Sequence, residues 1–157
     1  AFYRTDAVAY ATDCSPEALS VARLNAARLG VGERCYFYQG DLLEPLSASG
    51  LAGRVDLIAA NLPYIARDEY PALPAEVRNF EPALALDGGA DGLACYRRLI
   101  PAAPPFLKQG GFLLLEIGCR KGQASLALFE TPAWEVAVLQ DLAGLDRLVV
   151  ARYLESG

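Results

Sequence analysis

Four short apolar runs, each closed by polar or small residues and set apart from the next by a stretch of different character, restrict this chain to few architectures. They are residues 8–13 (Val-Ala-Tyr-Ala-Thr-Asp), 35–38 (Cys-Tyr-Phe-Tyr), 55–60 (Val-Asp-Leu-Ile-Ala-Ala) and 112–118 (Phe-Leu-Leu-Leu-Glu-Ile-Gly). Each has the length and side chains of a strand. Between the first two, Ser15 is a good helix N-cap and Pro16 suits the first turn. Leu19, Ala22, Arg23, Ala26, Ala27 and Leu29 then carry a helix that Gly30 stops. Residues 45–53 read as loop and residues 65–92 as an irregular connection rich in Pro, Gly and Asp, a length that is usually functional where it occurs. Residues 93–109 read as helical, with Pro101, Pro104 and Pro105 kinking or dividing the helix and Gly110-Gly111 ending it. A helix near residues 122–129 and strands at 134–140 and 147–153 complete the chain. Apolar strands alternating with helices predict an α/β fold with a mostly parallel sheet. The link over residues 141–146 is too short for a helical crossover, so the last two strands are expected to be antiparallel.

Composition removes several function classes. The chain has 157 residues, 54% hydrophobic and 21% charged, enough for one domain with its own core. No repeat or linker divides it, so residues 1–157 are expected to form a single domain. The net charge is −5 and no basic run is present, which disfavours a surface built to grip a nucleic-acid backbone. There is no histidine, so His triads, His general bases and His metal sites are excluded. Cys14, Cys35, Cys95 and Cys119 form no C-x-x-C pair, and no metal site is expected. Reduced cysteines, the absence of a signal peptide and the lack of any apolar run of roughly 18 residues point to a cytoplasmic protein with no membrane span. The chain has no methionine, not even at position 1, so it is expected to start after processing or partway through a longer protein.

Open parallel sheets bind ligands beyond the carboxyl ends of their strands. Asp13 ends the first strand, where a carboxylate can accept both hydroxyls of a ribose. Asp41 follows the second strand, where it could take a donor from an adenine edge. A helix cap or a plain surface acid is the simpler reading of each. After the third strand comes Asn61-Leu62-Pro63-Tyr64. The Asn61 side-chain oxygen and the Leu62 backbone carbonyl are two acceptors that could hold a planar –NH2 group, and Tyr64 could stack on it. No base is needed if nitrogen attacks first and loses its proton late. The task is then to orient a poor nucleophile toward an electrophilic carbon such as a sulfonium methyl. The competing reading is a stiff proline loop with an Asx turn.

Asn61-Leu62-Pro63-Tyr64 resembles the [ND]-P-P-[YFW] motif of S-adenosylmethionine-dependent amino-group methyltransferases. The wider chain resembles the HemK/PrmC family, the glutamine methyltransferases of peptide-chain release factors. The resemblance is carried by residues 11–19, 40–43, 56–65, 77–93, 116–118 and 141–147, and the F-E-P…D-G-G-x-D-G-L stretch, residues 80–93, is its most specific part. It implies a Rossmann-like class I methyltransferase sheet, mostly parallel with an antiparallel C-terminal strand pair. It implies a catalytic group of Asn61, Pro63 and Tyr64, holding the side-chain amide of a Gln in a Gly-Gly-Gln loop. S-adenosylmethionine would be held at Asp13, Cys14, Asp41, Leu42 and Asn61, with Asp13 on the ribose and Asp41 near the adenine. Leu62 joins the substrate pocket, and Phe80, Glu81 and Pro82 shape its wall; a structural hairpin is the alternative for those three. The partner implied is a peptide-chain release factor.

The departures are specific. Leu62 replaces the family's usual first Pro, and Leu145 stands where Arg is usual. N-L-P-Y also occurs in rRNA dimethyladenosine methyltransferases, against which the acidic composition and the F-E-P stretch weigh. The family's Gly-rich loop precedes the ribose acid by about 20 residues, whereas only 12 residues precede Asp13 here. The first strand and Gly-rich loop are therefore expected to be absent, cofactor binding by this stretch weak, and the strand edges open to dimerisation. The rival readings are an adenine-N6 methyltransferase acting on DNA or RNA, a non-catalytic remnant, and a nicotinamide-binding domain, the last giving no reason for N-L-P-Y.

Overall fold

The structure, a computed structural model, describes residues 1–129 and 132–154. The chain divides into two compact units, Ala1–Leu51 and Ala52–Gly157, each with its own sheet.

In the first unit, β1 (Ala9–Asp13) pairs in parallel with β2 (Cys35–Gln39), in a register that sets Asp13 opposite Gln39. Between them runs α1 (Pro16–Arg28). It starts where the sequence places it: the Ser15 hydroxyl accepts the Ala18 N–H at 3.0 Å, and Pro16 occupies the first turn. Its end is closed by the Val31 N–H donating to the Ala26 carbonyl at 2.9 Å. Leu19, Ala26, Val31 and Leu46 are buried. The Arg23 guanidinium lies 5.6 Å from the Phe37 ring centre. In β1 and β2, Tyr10 stacks on Tyr36 at 5.2 Å and lies 6.4 Å from Tyr38, and both Tyr10 and Tyr36 remain exposed.

In the second unit the strand order is β3-β4-β6-β5, with β3 (Val55–Asn61) parallel to β4 (Leu107–Glu116) and β6 (Asp146–Tyr153) antiparallel to both β4 and β5 (Trp134–Gln140). The expected antiparallel C-terminal pair is present. Leu113, Leu115 and Ile117 alternate with less buried residues along β4 and its exit, and are fully buried with Tyr96 and Val149. That one-sided alternation follows the pleat of a strand. The remaining helices are α2 (Ala75–Phe80), α3 (Ala83–Leu86), α4 (Ala94–Ala102) and α5 (Gly122–Leu126).

Two local expectations change. Residues 65–92 are not irregular throughout: they hold a 3-10 turn at Tyr70–Ala72 and the helices α2 and α3, whose N-caps are Pro74 and Pro82. Each proline presets a backbone that can restart a helix, but four to six residues are too few to show helical periodicity. The helix expected over 93–109 ends at Ala102, because Pro104 and Pro105 remove donors and clash with the preceding turn. Leu107 already pairs with Val55, and the strand passes Gly110-Gly111 as an irregularity in the ladder rather than starting after it.

Candidate functional site

In the first unit the carboxyl ends of β1 and β2 are tied together. The Gly40 N–H donates to the Asp13 carbonyl at 3.0 Å, the Gln39 side chain donates to the Cys14 carbonyl at 3.5 Å, and the Cys14 thiol lies 3.5 Å from the Gly40 carbonyl. Asp13 is exposed, and its Oδ1 accepts the Ser15 N–H at 2.8 Å. Part of its role is therefore the turn into α1, as the simpler sequence reading held; its second oxygen remains available to a ligand. Asp41 is half-buried, two residues past the end of β2, and its carbonyl accepts the Glu44 N–H at 3.0 Å. Leu42 has φ +47°, a left-handed backbone that a non-glycine residue adopts at a cost and that recurs at binding sites. Sequence periodicity gave no sign of it. Two carboxylates on adjacent strand ends, one with an open oxygen, suit the hydroxyls and amino edge of a nucleoside.

In the second unit Asn61 is the last residue of β3 and is exposed, while Leu62, Pro63, Tyr64 and Ile65 are half-buried. What holds this loop is the stretch after α3. Ile65 forms a parallel bridge with Asp87: its N–H donates to the Leu86 carbonyl at 3.0 Å and its carbonyl accepts the Gly88 N–H at 2.9 Å. The Arg67 N–H reaches the Gly89 carbonyl at 3.1 Å. Two glycines allow this approach. A Cβ on Gly88 would stand 2.8 Å from the Pro63 carbonyl oxygen, and one on Gly92, at φ +79°, 2.3 Å from that of Tyr64. No side chain fits against backbone that close, which accounts for the D-G-G-x-D-G-L pattern as a clamp on N-L-P-Y.

Further residues outside the candidate site residues complete the surroundings. Tyr96 is fully buried; its hydroxyl donates to the Glu116 carbonyl at 2.6 Å and lies 3.5 Å from the Leu62 carbonyl. Burial pushes its phenol well above the usual tyrosine range, with Tyr64 and Glu116 adding to the effect. The Tyr64 ring borders Gly118, where a Cβ would lie 3.2 Å from Cδ2. Lys121 pairs with Glu69 at 3.3 Å, and the same Glu69 oxygen accepts the Ala66 N–H at 3.0 Å. That backbone bond lowers the Glu69 pKa, with Lys121 and Arg120 reinforcing it. Within the same stretch, Asp91 is held at about 2 chiefly by its hydrogen bonds with Arg97. The pairings of Tyr96 with Glu116, Tyr64 with Gly118 and Glu69 with Lys121 were not legible from spacing, because those partners lie far apart in sequence.

Phe80 ends α2, Glu81 follows and Pro82 caps α3; all three are exposed. Among the described residues, no hydrogen bond or ion pair joins them to residues 61–64. Nor, among the described residues, does any group of three acidic, Cys or His side chains converge as a metal site, and no helix is long and apolar enough to cross a membrane.

Solved structures with the same fold define the class. A ribosomal protein L11 methylase from Lactobacillus delbrueckii subsp. bulgaricus matches 93% of this chain and 58% of its own, with a TM-score of 0.60 at 18% identity. TrmN from Thermus thermophilus matches 92% of this chain and 36% of its own, at a TM-score of 0.59 and 21% identity. The fold is that of the class I methyltransferases, as the sequence led one to expect.

Sequence comparison goes further. The release factor glutamine methyltransferase of Moorella thermoacetica is 49% identical over 153 residues, which are 96% of this chain and 52% of that protein. The enzyme of the same name from Cereibacter sphaeroides is 50% identical over 143 residues, 90% of this chain and 50% of that protein. That of Bacillus subtilis is 43% identical over 143 residues. The chain is a homologue of the release factor glutamine methyltransferases, and it spans about half the length of these curated relatives. No family model matches the sequence.

Proposed function

We propose that residues 1–157 belong to one methyltransferase catalytic domain, and that the protein methylates the side-chain amide nitrogen of a glutamine, with a release factor carrying a Gly-Gly-Gln loop as substrate. The observation that carries this reading is the clamped N-L-P-Y loop. An exposed carboxamide ends β3, and the backbone behind it is fixed by reciprocal hydrogen bonds and two glycine contacts. Recognition of a planar –NH2 needs such fixed acceptors, since orientation supplies most of the rate for a poor nucleophile. Relatives at 43–50% identity bearing the release factor name support the substrate class.

In this reading Asn61 accepts one N–H of the substrate amide, Leu62 offers a carbonyl, Pro63 stiffens the backbone and Tyr64 stacks on the amide plane. Phe80, Glu81 and Pro82 contact the protein substrate from the surface. S-adenosylmethionine supplies an electrophilic methyl when bound. Asp13 holds its ribose hydroxyls, Asp41 lies near the adenine, and Cys14, Leu42 and Asn61 make the remaining contacts. A release factor as substrate implies a cytoplasmic protein. β3 and β5 are the edges of the four-stranded sheet and β1 and β2 those of the other, so pairing between copies through strand edges is part of the proposal.

The test is incubation with S-adenosylmethionine and a Gly-Gly-Gln protein, with mass spectrometry of the digested substrate. One methyl group on the glutamine upholds the reading. Methyl transfer to adenine in a duplex, with none to the protein, replaces it with the nucleic-acid alternative. Calorimetric titration with S-adenosylmethionine tests cofactor binding separately, and light scattering tests self-association.

A further inference from the structure

The register of β3 and β4 sets Glu116 directly beside Asn61. The two are Cα partners at the carboxyl ends of neighbouring parallel strands, about 4.8 Å apart across the ladder, with side chains on the same face of the sheet. That face is the less buried one, running through Leu57, Ala59 and Asn61 on β3 and Phe112, Leu114 and Glu116 on β4, while Leu113, Leu115 and Ile117 alternate onto the buried one. Glu116 is half-buried and its neighbour on the other side is Leu148, which offers no donor. Among the described residues, neither the Glu116 carboxylate nor the Asn61 amide makes a hydrogen bond or ion pair. The cations nearest in sequence are committed elsewhere, Arg120 and Lys121 to Glu69 at 3.1 and 3.3 Å and Lys108 to Asp56 at 2.5 Å, and so is Arg147 on the neighbouring strand, to Asp141 at 3.4 Å. The Glu116 backbone is meanwhile pinned, its carbonyl taking the Tyr96 hydroxyl and the Ile117 N–H donating to the Arg147 carbonyl at 2.9 Å. A half-buried carboxylate without a partner lacks the compensation such a group ordinarily has.

We propose that the Glu116 carboxylate faces the substrate –NH2 group from beside Asn61, stabilising the positive charge that grows on nitrogen and taking its proton. The inference rests on the function proposed above and adds a residue to it. A primary amide presents two coplanar N–H donors; the Asn61 oxygen takes one and the Leu62 carbonyl the other, with the Glu116 carboxylate next to Asn61 on the neighbouring strand. The Tyr96 hydroxyl gives its one proton to the Glu116 carbonyl at 2.6 Å, so the Leu62 carbonyl 3.5 Å away keeps its acceptor capacity. As the nitrogen pair forms the new N–C bond, the C–S bond breaks with its electron pair going to sulfur and positive charge grows on nitrogen. A fixed carboxylate stabilises that charge and takes the proton released from nitrogen, leaving a neutral N-methyl amide.

The experiment uses the full encoded polypeptide that carries this chain. Glu116→Gln keeps the shape and removes the charge, and thermal unfolding checks that it folds. On a Gly-Gly-Gln protein its kcat is expected to fall about 10²-fold, with the KM for S-adenosylmethionine unchanged; a kcat within about twofold of the parent overturns the proposal. A second measurement needs no variant: the Glu116 carboxylate carbon signal, followed by NMR, is expected to shift on adding a Gly-Gly-Gln peptide and to stay in place with Gly-Gly-Leu. Absence of a shift at saturating peptide overturns the proposal. Should the parent protein neither bind nor methylate the glutamine substrate, the functional reading falls by itself. The same NMR titration with adenosine then tests the pair alone, a shift upholding an –NH2 site at Asn61 and Glu116 and its absence overturning it.

Discussion

The two strand-end regions are built on different principles. At the ends of β1 and β2, Asp13 and Asp41 are presented by a two-stranded ribbon, with Asp13 turning into α1 and the Gly40 N–H donating to the Asp13 carbonyl from the neighbouring strand. At the ends of β3 and β4, the N-L-P-Y loop is gripped by a segment more than 20 residues downstream, above a core in which Tyr96, Leu113, Leu115 and Ile117 are fully buried. Hydroxyls of a nucleoside can be held by carboxylates that adjust to them. Aligning a weakly nucleophilic amide with a carbon tolerates little movement. The region proposed to recognise the cofactor is simple, and the region proposed to orient the substrate is braced.

The sharpest break in that comparison is Gly92→Val. A side chain there meets the Tyr64 carbonyl in a backbone conformation unsuited to it, so the expected result is a loss of roughly 3 kcal/mol or more in chemical denaturation and no methyl transfer. Asn61→Ala comes next. Since Asn61 is exposed and its side chain makes no hydrogen bond among the described residues, stability should stay within about 0.5 kcal/mol while kcat on the glutamine substrate drops about 10²-fold. A large loss of stability would show that the loop is structural only.

Tyr96→Phe strips the Glu116 carbonyl of its buried partner. Denaturant unfolding should show a cost of about 1–3 kcal/mol. Ser15→Ala probes the other region: losing the bond to the Ala18 N–H should cost about 1 kcal/mol and leave the N-L-P-Y clamp intact by amide hydrogen exchange. The smallest effect is one of pH. Arg97 holds the Asp91 carboxyl at about 2 in the folded chain, against an unfolded value near 4. A depressed acid contributes stability above its unfolded value and loses it as pH falls through the folded one. Exchange at the Gly88 and Leu93 amides should therefore rise between about pH 4 and 2, and Asp91→Asn should flatten that rise.

Much of the strand-end geometry could be read from the chain alone. The acid that ends β1, the acid after β2 and the amide that ends β3 each sit where an apolar run meets a polar residue, and a local pattern suffices to find them. The Ser15 cap and the antiparallel close of the sheet were equally local. The middle segment was not: α2 and α3 run for only six and four residues, too few to show a repeating period, and Pro101 lies inside a helix that was expected to break or bend there.

By itself, then, the order of residues determined the α/β class, the strand ends and the identity of the groups offered there, because alternation and capping act over a few neighbours. Tertiary structure decided what those groups face. Gly88 and Gly92 against the Pro63 and Tyr64 carbonyls, Tyr96 against Glu116, and Glu116 beside Asn61 all join residues that are distant along the chain. Such pairings arise from register and close packing, which no short window of sequence encodes.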